Sequence, residues 1–268
     1  MNANVTGTTV ADVLDSVLEA EGDRLSVVAP DAGTVEALVE AIDGDGPTVR
    51  LLSDPETLKE ATDGFLIAGR TADHVDGGRL EIRTGREGSN AVVLTETAVV
   101  AIVRGHDRVA GVKTADEEIV ESVGERFAAA WGDAEAYALR TPPLGRVRET
   151  LERDLGAATA EDFDAVVSSI NAVRGEGALD EVDISLLVAA RNEQLLYDVS
   201  KWGEDVDIAS KATFSRTKKR LEEAGVIGTE KVPIEVGRPR LRLTLADEEI
   251  GEADPERLAH IAQSRLED

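Results

Sequence analysis

Cysteine is absent from this 268-residue sequence, and histidine occurs only three times. The lack of cysteine excludes disulfide bonds, thiolate nucleophiles and zinc–cysteine sites. His74, His106 and His260 lie far apart in the sequence, and no two have the i, i+4 spacing of a helical metal site. We therefore expect neither a metal ion nor a cofactor.

Aromatic residues make up only 3% of the chain, although 42% of it is hydrophobic. The core must therefore consist mainly of Val, Leu, Ala and Ile, which favours α/β packing. No apolar run approaches the ~20 residues that span a bilayer. The first residues also lack the basic and apolar regions of a signal peptide. We expect a cytoplasmic protein with no membrane partner.

Lysine is scarce as well: seven Lys accompany 22 Arg, while Asp and Glu number 54 and the net charge is −25. An acidic surface of this density usually repels nucleic acid. It is also typical of proteins from a salt-saturated cytoplasm, and the low lysine content points the same way. We therefore predict a halophilic archaeal source, in which local charge is more informative than total charge.

Strand and helix patterns alternate in the first half of the chain. Short apolar runs predict strands, and apolar residues at intervals of three and four predict helices between them. This order indicates an α/β domain whose parallel sheet is covered by helices. The predicted helices cover residues 10–18, 32–42 and 116–131, with a further helix capped by Asp54, and the predicted strands cover 25–30, 48–52, 80–84, 91–94 and 98–103.

Two further predictions concern the same half of the chain. The glycine-containing segments 64–70 and 105–111 lack the residues or the context of phosphate-binding loops, and we expect ordinary turns there. The helix over residues 116–131 is amphipathic. Its predicted buried face consists of Ile119, Val120, Val123, Phe127 and Trp131.

Thr141-Pro142-Pro143 is the clearest domain boundary in the sequence. Helical spacing continues after it until Gly175-Glu176-Gly177 interrupts the pattern. We predict a homodimer, with these connecting helices as a candidate dimerisation arm. The predicted segments are an α/β effector or dimerisation domain over residues 1–141, connecting helices over 142–178, a winged helix-turn-helix over 179–247 and a C-terminal helix over 248–268.

Residues 182–245 have the element order of a winged helix, with three helices followed by a hairpin. The third helix, over residues 210–224, begins with a Ser N-cap, precedes Gly225, and spaces Phe214 and Leu221 for burial. Such a helix enters the major groove of double-stranded DNA, where its outward side chains reach phosphates and base edges. The predicted outward side chains are Lys211, Thr213, Ser215, Arg216 and Lys219.

The hairpin after this helix indicates the same partner. Gly237 and Pro239 are typical of a turn and a strand start, and arginine then alternates with leucine. Because side chains alternate across a strand, Arg238, Arg240 and Arg242 share one face, which we expect to contact DNA phosphates.

Basic residues are concentrated in this part of the chain. Residues 211–242 contain nine basic and four acidic residues, a net charge of +5, whereas the remainder carries −30. Phosphate binding is the simplest explanation for a basic segment in so acidic a chain. The alternatives are an ordinary solvated surface, or a winged helix that docks a protein.

A second candidate site lies in the first domain. Ligands of open α/β sheets bind beyond the carboxyl ends of the strands, and three predicted strands end in polar or cationic residues. If these ends converge, arginine side chains would bind a phosphate or carboxylate and hydroxyls would bind the rest of an anionic sugar metabolite. The residues concerned are Ser53, Arg83, Thr84 and Arg104.

Residues 210–243 resemble the winged helix of archaeal and bacterial repressors, through Ser-x-x-Thr-x-Ser-Arg, Leu-Glu-Glu-Ala-Gly and Gly-Arg-Pro-Arg. Lys218 departs from the pattern, because such helices usually bury an aliphatic residue there; either the helix is rotated slightly or Lys218 extends its ammonium group to solvent. The whole chain resembles the haloarchaeal TbsP regulators. That resemblance implies a sequence-specific transcription regulator of central carbon metabolism, linked to the sugar-responsive regulator TrmB.

The first domain resembles the non-catalytic phospholipase D-like effector domains of archaeal regulators. The resemblance rests on the hairpin over residues 91–103, on Gly111-Val112-Lys113-Thr114 and on the following helix. A catalytic member needs His-x-Lys-x-x-x-x-Asp, but Ser89-Asn90-Ala91-Val92 stands there, so we predict no enzyme. A protein-interaction adaptor, or an enzyme with an unrecognised site in the first domain, are the alternative functions.

Overall fold

The computed structural model describes residues 4–19, 23–29, 31–42, 46–85, 90–170, 179–233 and 239–267. Two compact units divide the chain, Met1–Leu139 and Arg140–Asp268. None of the helices in these ranges is both long and apolar enough to cross a membrane. The predicted break at Gly175-Glu176-Gly177 lies outside the described residues, so that prediction is not tested.

The first unit is built around a sheet with helices on both faces. Its strands are β1 (Val5–Gly7), β2 (Arg24–Val28), β3 (Thr48–Ser53), β4 (Leu80–Thr84), β5 (Val92–Leu94), β6 (Val99–Arg104), β7 (Val109–Thr114) and β8 (Glu135–Ala136). They form one sheet in the order β1-β7-β6-β5-β2-β3-β4-β8. Its helices are α1 (Val10–Leu18), α2 (Ala32–Ala41), α3 (Pro55–Ala61), α4 (Phe65–Asp76) and α5 (Glu117–Asp133).

The sheet is mixed, so the prediction of a parallel sheet is wrong outside its centre. Helical crossovers make β2, β3 and β4 parallel to one another. The short connections between β5, β6 and β7 leave no room for a crossover, so these strands pair antiparallel. β1 and β8 then close the two edges, also antiparallel.

Two helix ends show why the sequence folds locally as predicted. Thr9 and Asp12 form a reciprocal capping box at the start of α1, and Asp54 accepts backbone N–H bonds from Glu56 and Thr57 at the start of α3. Both arrangements satisfy N–H groups that would otherwise have no partner within the helix. The predicted helix over residues 10–18 and the Asp54 cap are therefore confirmed.

Separate hydrophobic clusters cover the two faces of the sheet. One joins α1, α2 and α3 to inward residues such as Val27 and Leu51. The other joins Phe127 and Trp131 of α5 to Leu52. The predicted buried face of α5 is correct only at this end, because Ile119 at the other end is 47% exposed. Val120 and Val123 are partly buried.

Residues 65–76 form the helix α4, so the turn predicted over residues 64–70 is wrong. Gly69 lies on its buried face beside Ala68 and Ala72, where small side chains allow close packing. Packing therefore overrides the poor helix propensity of glycine. The turn predicted over residues 105–111 is also too long, because β7 begins at Val109.

The second unit contains more than a winged helix. Its elements are α6 (Leu144–Leu155), α7 (Ala157–Ile170), α8 (Glu181–Arg191), α9 (Leu196–Asp205), α10 (Lys211–Glu223), β9 (Ile227–Val232), β10 (Arg240–Leu245), α11 (Glu248–Gly251) and α12 (Pro255–Glu267). The predicted single C-terminal helix is therefore two helices. α7 packs against α6, α8 and α12, and the Trp202 indole N–H of α9 donates to the Thr150 hydroxyl of α6 at 3.0 Å. The division of this unit at residue 178 stays a prediction.

Candidate nucleic-acid interface

Helix α10 is anchored by one apolar face. Phe214 and Leu221 are 0% and 1% exposed, as the sequence predicts, and Thr217 lies between them on the same buried face. The Ser210 side chain caps the helix by accepting the Thr213 N–H at 3.2 Å. Gly225 follows the last turn with a φ of 66°, in the left-handed region that favours glycine.

The opposite face of α10 presents the residues that the sequence predicts. Lys211, Ser215, Arg216 and Lys219 are exposed, and Thr213 is partly exposed. The Thr213 hydroxyl accepts a hydrogen bond from the Arg216 guanidinium at 3.3 Å, which orients the arginine along the helix. Whether these side chains contact DNA stays a prediction.

Carboxylates accompany two of these cations. Lys211 pairs with Glu204 of α9 at 2.7 Å, and Lys219 pairs with Glu223 at 3.4 Å. The hydrogen bond between Lys211 and Glu204 raises the pKa of the lysine and lowers that of the glutamate. Among the described residues, Arg216 has no carboxylate partner. It is therefore the α10 cation most available to a new anion.

Lys218 extends its ammonium group along the helix surface. Its side chain is 15% exposed and its Nζ lies 2.7 Å from Glu222. Glu222 also accepts a hydrogen bond from the Thr229 hydroxyl of β9 at 2.9 Å. The lysine therefore occupies an apolar position without burying an unpaired charge, as one of the two sequence alternatives proposed.

The outer side of α10 is also joined to α8 through a buried ion pair. The Asp183 side chain is 4% exposed and lies 2.5 Å from Arg220, which is half exposed. Burial raises the pKa of Asp183 most, nearby Asp180 raises it further, and the Arg220 guanidinium opposes both. The carboxylate therefore depends on Arg220 for its charged state.

We expect Arg220→Gln to lower the free energy of unfolding at pH 7 by about 1–3 kcal/mol, because it leaves a buried carboxylate without its cation. The loss of Arg220 also raises the pKa of Asp183 further. An acid whose pKa is higher in the folded state gains a proton on folding, so the deficit shrinks as the pH falls through that raised pKa. Urea unfolding at pH 7 and at about pH 5 measures the change.

The double variant Asp183→Asn/Arg220→Gln is the control, because it contains no buried charge at these positions. It should show no recovery on acidification. An Arg220→Gln deficit of equal size at both pH values would contradict the role given to Asp183.

The two described wing arginines are held against the start of α9. Arg240 pairs with Asp198 at 3.5 Å, and its guanidinium carbon lies 4.6 Å from the centre of the Tyr197 ring. Arg242 lies 3.7 Å from Glu193. Both arginines alternate with leucines on β10, as predicted. Arg238 falls outside the described residues.

Tyr197 was missed by the sequence analysis. Its side chain is 50% exposed although it is one of only two tyrosines in the chain. It lies in the first turn of α9 and borders a groove between α9, α10 and the start of β10. An aromatic residue on a helix of otherwise polar outer face was the available signal.

The predicted ligand residues of the first unit do not form one site. The Ser53 hydroxyl is buried and donates to the Ala29 carbonyl at 2.5 Å, and the Thr84 hydroxyl donates to the Glu135 carbonyl at 3.2 Å. Ser53 and Thr84 are direct neighbours in the β3–β4 register. Both hydroxyls are thus used by backbone partners.

Arg83 and Arg104 lie on opposite faces of the sheet. Arg83 donates to the Trp131 carbonyl at 2.7 Å and lies over the Trp131 ring, on the α5 side. Arg104 follows the inward pattern of Ile102 and contacts Asp31 at 2.9 Å, on the α2 side. The predicted convergence of the two arginines is wrong, because alternation along each strand separates them.

Other chemistry is not visible in the described parts of the chain. No group of three or more His, Asp or Glu residues there could hold a metal ion. Every buried side-chain nitrogen and oxygen in those parts also has a hydrogen-bond partner. The exposed face of α10 and the wing arginines are therefore the strongest site.

Comparisons with known proteins agree with this location. Residues 2–142 match the family described as "Transcriptional regulator TbsP-like, N-terminal", and residues 143–263 match "Transcriptional regulator TbsP-like, C-terminal HTH domain". No curated protein matches the chain.

Two solved structures share parts of the fold at low similarity. TrmBL2, described as an archaeal chromatin protein with a novel mode of DNA binding, is 16% identical over 50% of this chain and 54% of its own, with a TM-score of 0.37. Nuc, a phospholipase D family member from Salmonella typhimurium, is 14% identical over 51% of this chain and 99% of its own, also with a TM-score of 0.37. Because the two family matches together extend over residues 2–263, the chain belongs to the TbsP-like transcriptional regulators and contains their C-terminal helix-turn-helix domain.

Proposed function

We propose that this protein is a sequence-specific regulator that inserts α10 into the major groove of promoter DNA. The observation that carries the proposal is the outward face of α10, where Arg216 has no carboxylate partner among the described residues. Arginine forms bidentate hydrogen bonds to guanine, and the serine and threonine hydroxyls bond either bases or phosphates. The protein would act by occupying promoters and not as an enzyme.

Selection from a random duplex library by the purified protein tests the proposal. We expect one sequence motif to be enriched, and fluorescence anisotropy should then give tighter binding to that duplex than to a scrambled one. The titrations should be run at several KCl concentrations, because affinities for DNA depend strongly on salt. Enrichment of no motif, with no duplex bound, would favour a protein-docking winged helix instead.

Ion pairs on this surface affect how binding responds to salt. Lys211, Lys219 and Arg240 each have a carboxylate within 4 Å in the free protein. A phosphate that takes such a cation leaves the carboxylate unpaired, and the carboxylate then takes up a cation from solution. This uptake opposes the counterion release that DNA binding causes. We propose that it adapts the protein to a salt-rich cytoplasm, in keeping with the net charge of −25.

The wing arginines should contact the DNA backbone and not the bases. We expect Arg240→Ala and Arg242→Ala to weaken binding to preferred and scrambled duplexes by the same factor. The slope of log K against log salt should fall by roughly one unit for each phosphate that the variant no longer neutralises. The same result is expected for Arg238→Ala. A variant with altered sequence preference and an unchanged slope would contradict this role.

We also propose that the protein is a homodimer that pairs through the uncovered part of its sheet. Val103 and Val112 share the α5 side of β6 and β7 but are 52% and 46% exposed. Exposed Arg108 lies at one end of this surface, and exposed Glu117 and Glu118 lie at the other. A two-fold axis would place the basic end of one copy against the acidic end of its partner.

We expect Val103→Asp/Val112→Asp to convert a dimer into a monomer, because it places two carboxylates in the proposed apolar contact. Sedimentation velocity at molar KCl measures the change, and circular dichroism checks that the fold is retained. Val75→Asp is the matched control, since Val75 is 40% exposed on α4. An unchanged sedimentation coefficient for the double variant would place the dimer contact elsewhere.

The target genes and the effector follow from the family resemblance. We propose that the promoters control central carbon metabolism, which chromatin immunoprecipitation with sequencing in the native host would test. An anionic sugar metabolite stays a proposed effector of the first unit. Its binding site would have to differ from the four-residue arrangement that the sequence predicts, because Arg83 and Arg104 lie on opposite faces of the sheet.

A further inference from the structure

A groove of about 350 Å³ separates the recognition helix from the wing. The first turn of α9, the first half of α10 and the start of β10 form its walls. Its polar lining consists of Tyr197, Ser200, Lys211, Ser215 and Arg240, and the remaining lining residues are Leu196, Pro239 and Leu241. Two cations and three hydroxyls therefore surround one opening.

Arg240 is fixed in orientation at this groove. Its guanidinium carbon lies 4.6 Å from the centre of the Tyr197 ring, and one nitrogen lies 3.5 Å from Asp198. A guanidinium that stacks on a ring leaves its N–H edge free for acceptors in its own plane. The pair therefore presents a cation and a phenolic hydroxyl together, with little conformational entropy left to lose on binding.

The opposite wall supplies a second cation and further hydroxyls. Lys211 belongs to α10 and pairs with Glu204 at 2.7 Å, outside the set of groove-lining residues. Ser215 lies one helical turn further along α10 and is exposed. Ser200 is less available, because its hydroxyl donates to the Tyr197 carbonyl at 3.2 Å.

We propose that this groove seats one phosphate of the DNA backbone, with Tyr197 as a contact residue. The inference rests on the proposed function and deepens it. When α10 occupies a major groove and the wing reaches the neighbouring minor groove, the strand between the two grooves must cross the gap between α10 and β10. Arg240 and Lys211 neutralise the phosphate, while the Tyr197 and Ser215 hydroxyls donate to its oxygens.

The apolar residues of the groove fit the rest of the nucleotide. Leu196 and Leu241 offer aliphatic surface to the deoxyribose, and Pro239 lacks an N–H group that would need a partner. A site of this composition reads no base, so it fixes the position of the protein along the backbone. Tyr197 thus differs in role from Arg216, which lies on the central exposed face of α10.

Tyr197→Phe tests the hydroxyl while keeping the ring under Arg240. We expect the variant to bind preferred and scrambled duplexes about 5- to 20-fold more weakly, the range of one hydrogen bond to a charged group. The salt slope should not change, because no charge is removed. Tyr137→Phe is the matched control, since the Tyr137 hydroxyl contacts Thr62 in the other unit.

Duplexes with a single neutral methylphosphonate identify the phosphate itself. Wild-type protein should lose affinity when the phosphate between the major-groove and minor-groove contacts is replaced, and Tyr197→Phe should be less sensitive at that position alone. Wild-type-like affinity of Tyr197→Phe, or unchanged sensitivity at every phosphate, would overturn the inference while leaving α10 as the recognition helix. Failure of the wild-type protein to bind any duplex would instead overturn the proposed function, and this inference with it.

Discussion

Replacing Arg216 and Lys219 together with Ala is expected to abolish selective binding to the preferred duplex. Both side chains are exposed on α10, where they contribute nothing to the core around Phe214 and Leu221. Removing a base contact costs about 1–3 kcal/mol, or roughly 5- to 150-fold in Kd. Fluorescence anisotropy with preferred and scrambled duplexes at one salt concentration measures the effect, and urea unfolding should be unchanged.

Two further variants separate charge from geometry. Arg216→Lys keeps the positive charge but loses the planar fork that binds a base edge in two places. We expect it to retain binding to the scrambled duplex and to lose preference. Lys59→Ala, an exposed lysine on α3, should behave as wild type. If the Arg216→Ala/Lys219→Ala protein binds the preferred duplex as tightly as wild type, α10 is not the recognition helix.

Gly203→Ala is expected to cause the largest loss of stability. A Cβ atom at this position would lie 2.3 Å from two ring carbons of Phe214. Because Phe214 is 0% exposed, its ring has no space into which it can move. The overpacking should cost about 3 kcal/mol, which exceeds the gain of up to about 1 kcal/mol from replacing a helical glycine.

The same substitution should weaken DNA binding, because it pushes α10 away from α9 and distorts the groove between them. Urea unfolding by circular dichroism and anisotropy on the same preparation measure both effects. Gly132→Ala is the control, since a Cβ atom there would meet nothing within 4 Å. A Gly203→Ala protein that unfolds at the wild-type urea concentration would contradict the packing of α9 on α10.

Local signals were sufficient wherever one segment determines its own structure. The Ser210 cap, the spacing of Phe214 and Leu221 and the positive φ of Gly225 together specify α10. The same applies to α1 and α3, whose caps lie within four residues of the groups they bind. Such interactions depend on neighbours in sequence, so periodicity and capping residues are enough to predict them.

Long-range packing decided the features that the sequence analysis missed or placed wrongly. The helix α4 exists because its small residues pack closely, although its glycine weakens the local signal. Arg83 and Arg104 end neighbouring strands of the sequence pattern, yet three strands separate β4 from β6 and the two side chains face opposite ways. Neither outcome can be read from a window of adjacent residues.

The family, the winged-helix order and the outward residues of α10 follow from the sequence alone, because each depends on residue identity and short spacing. Which groups meet across the fold depends instead on its three-dimensional packing. Tyr197 and Arg240 are 43 positions apart in the chain, and they form one wall of a groove because β10 pairs with the residues that precede α9, through Leu195 and Arg242. A contact of this kind depends on strand register, which no local pattern encodes.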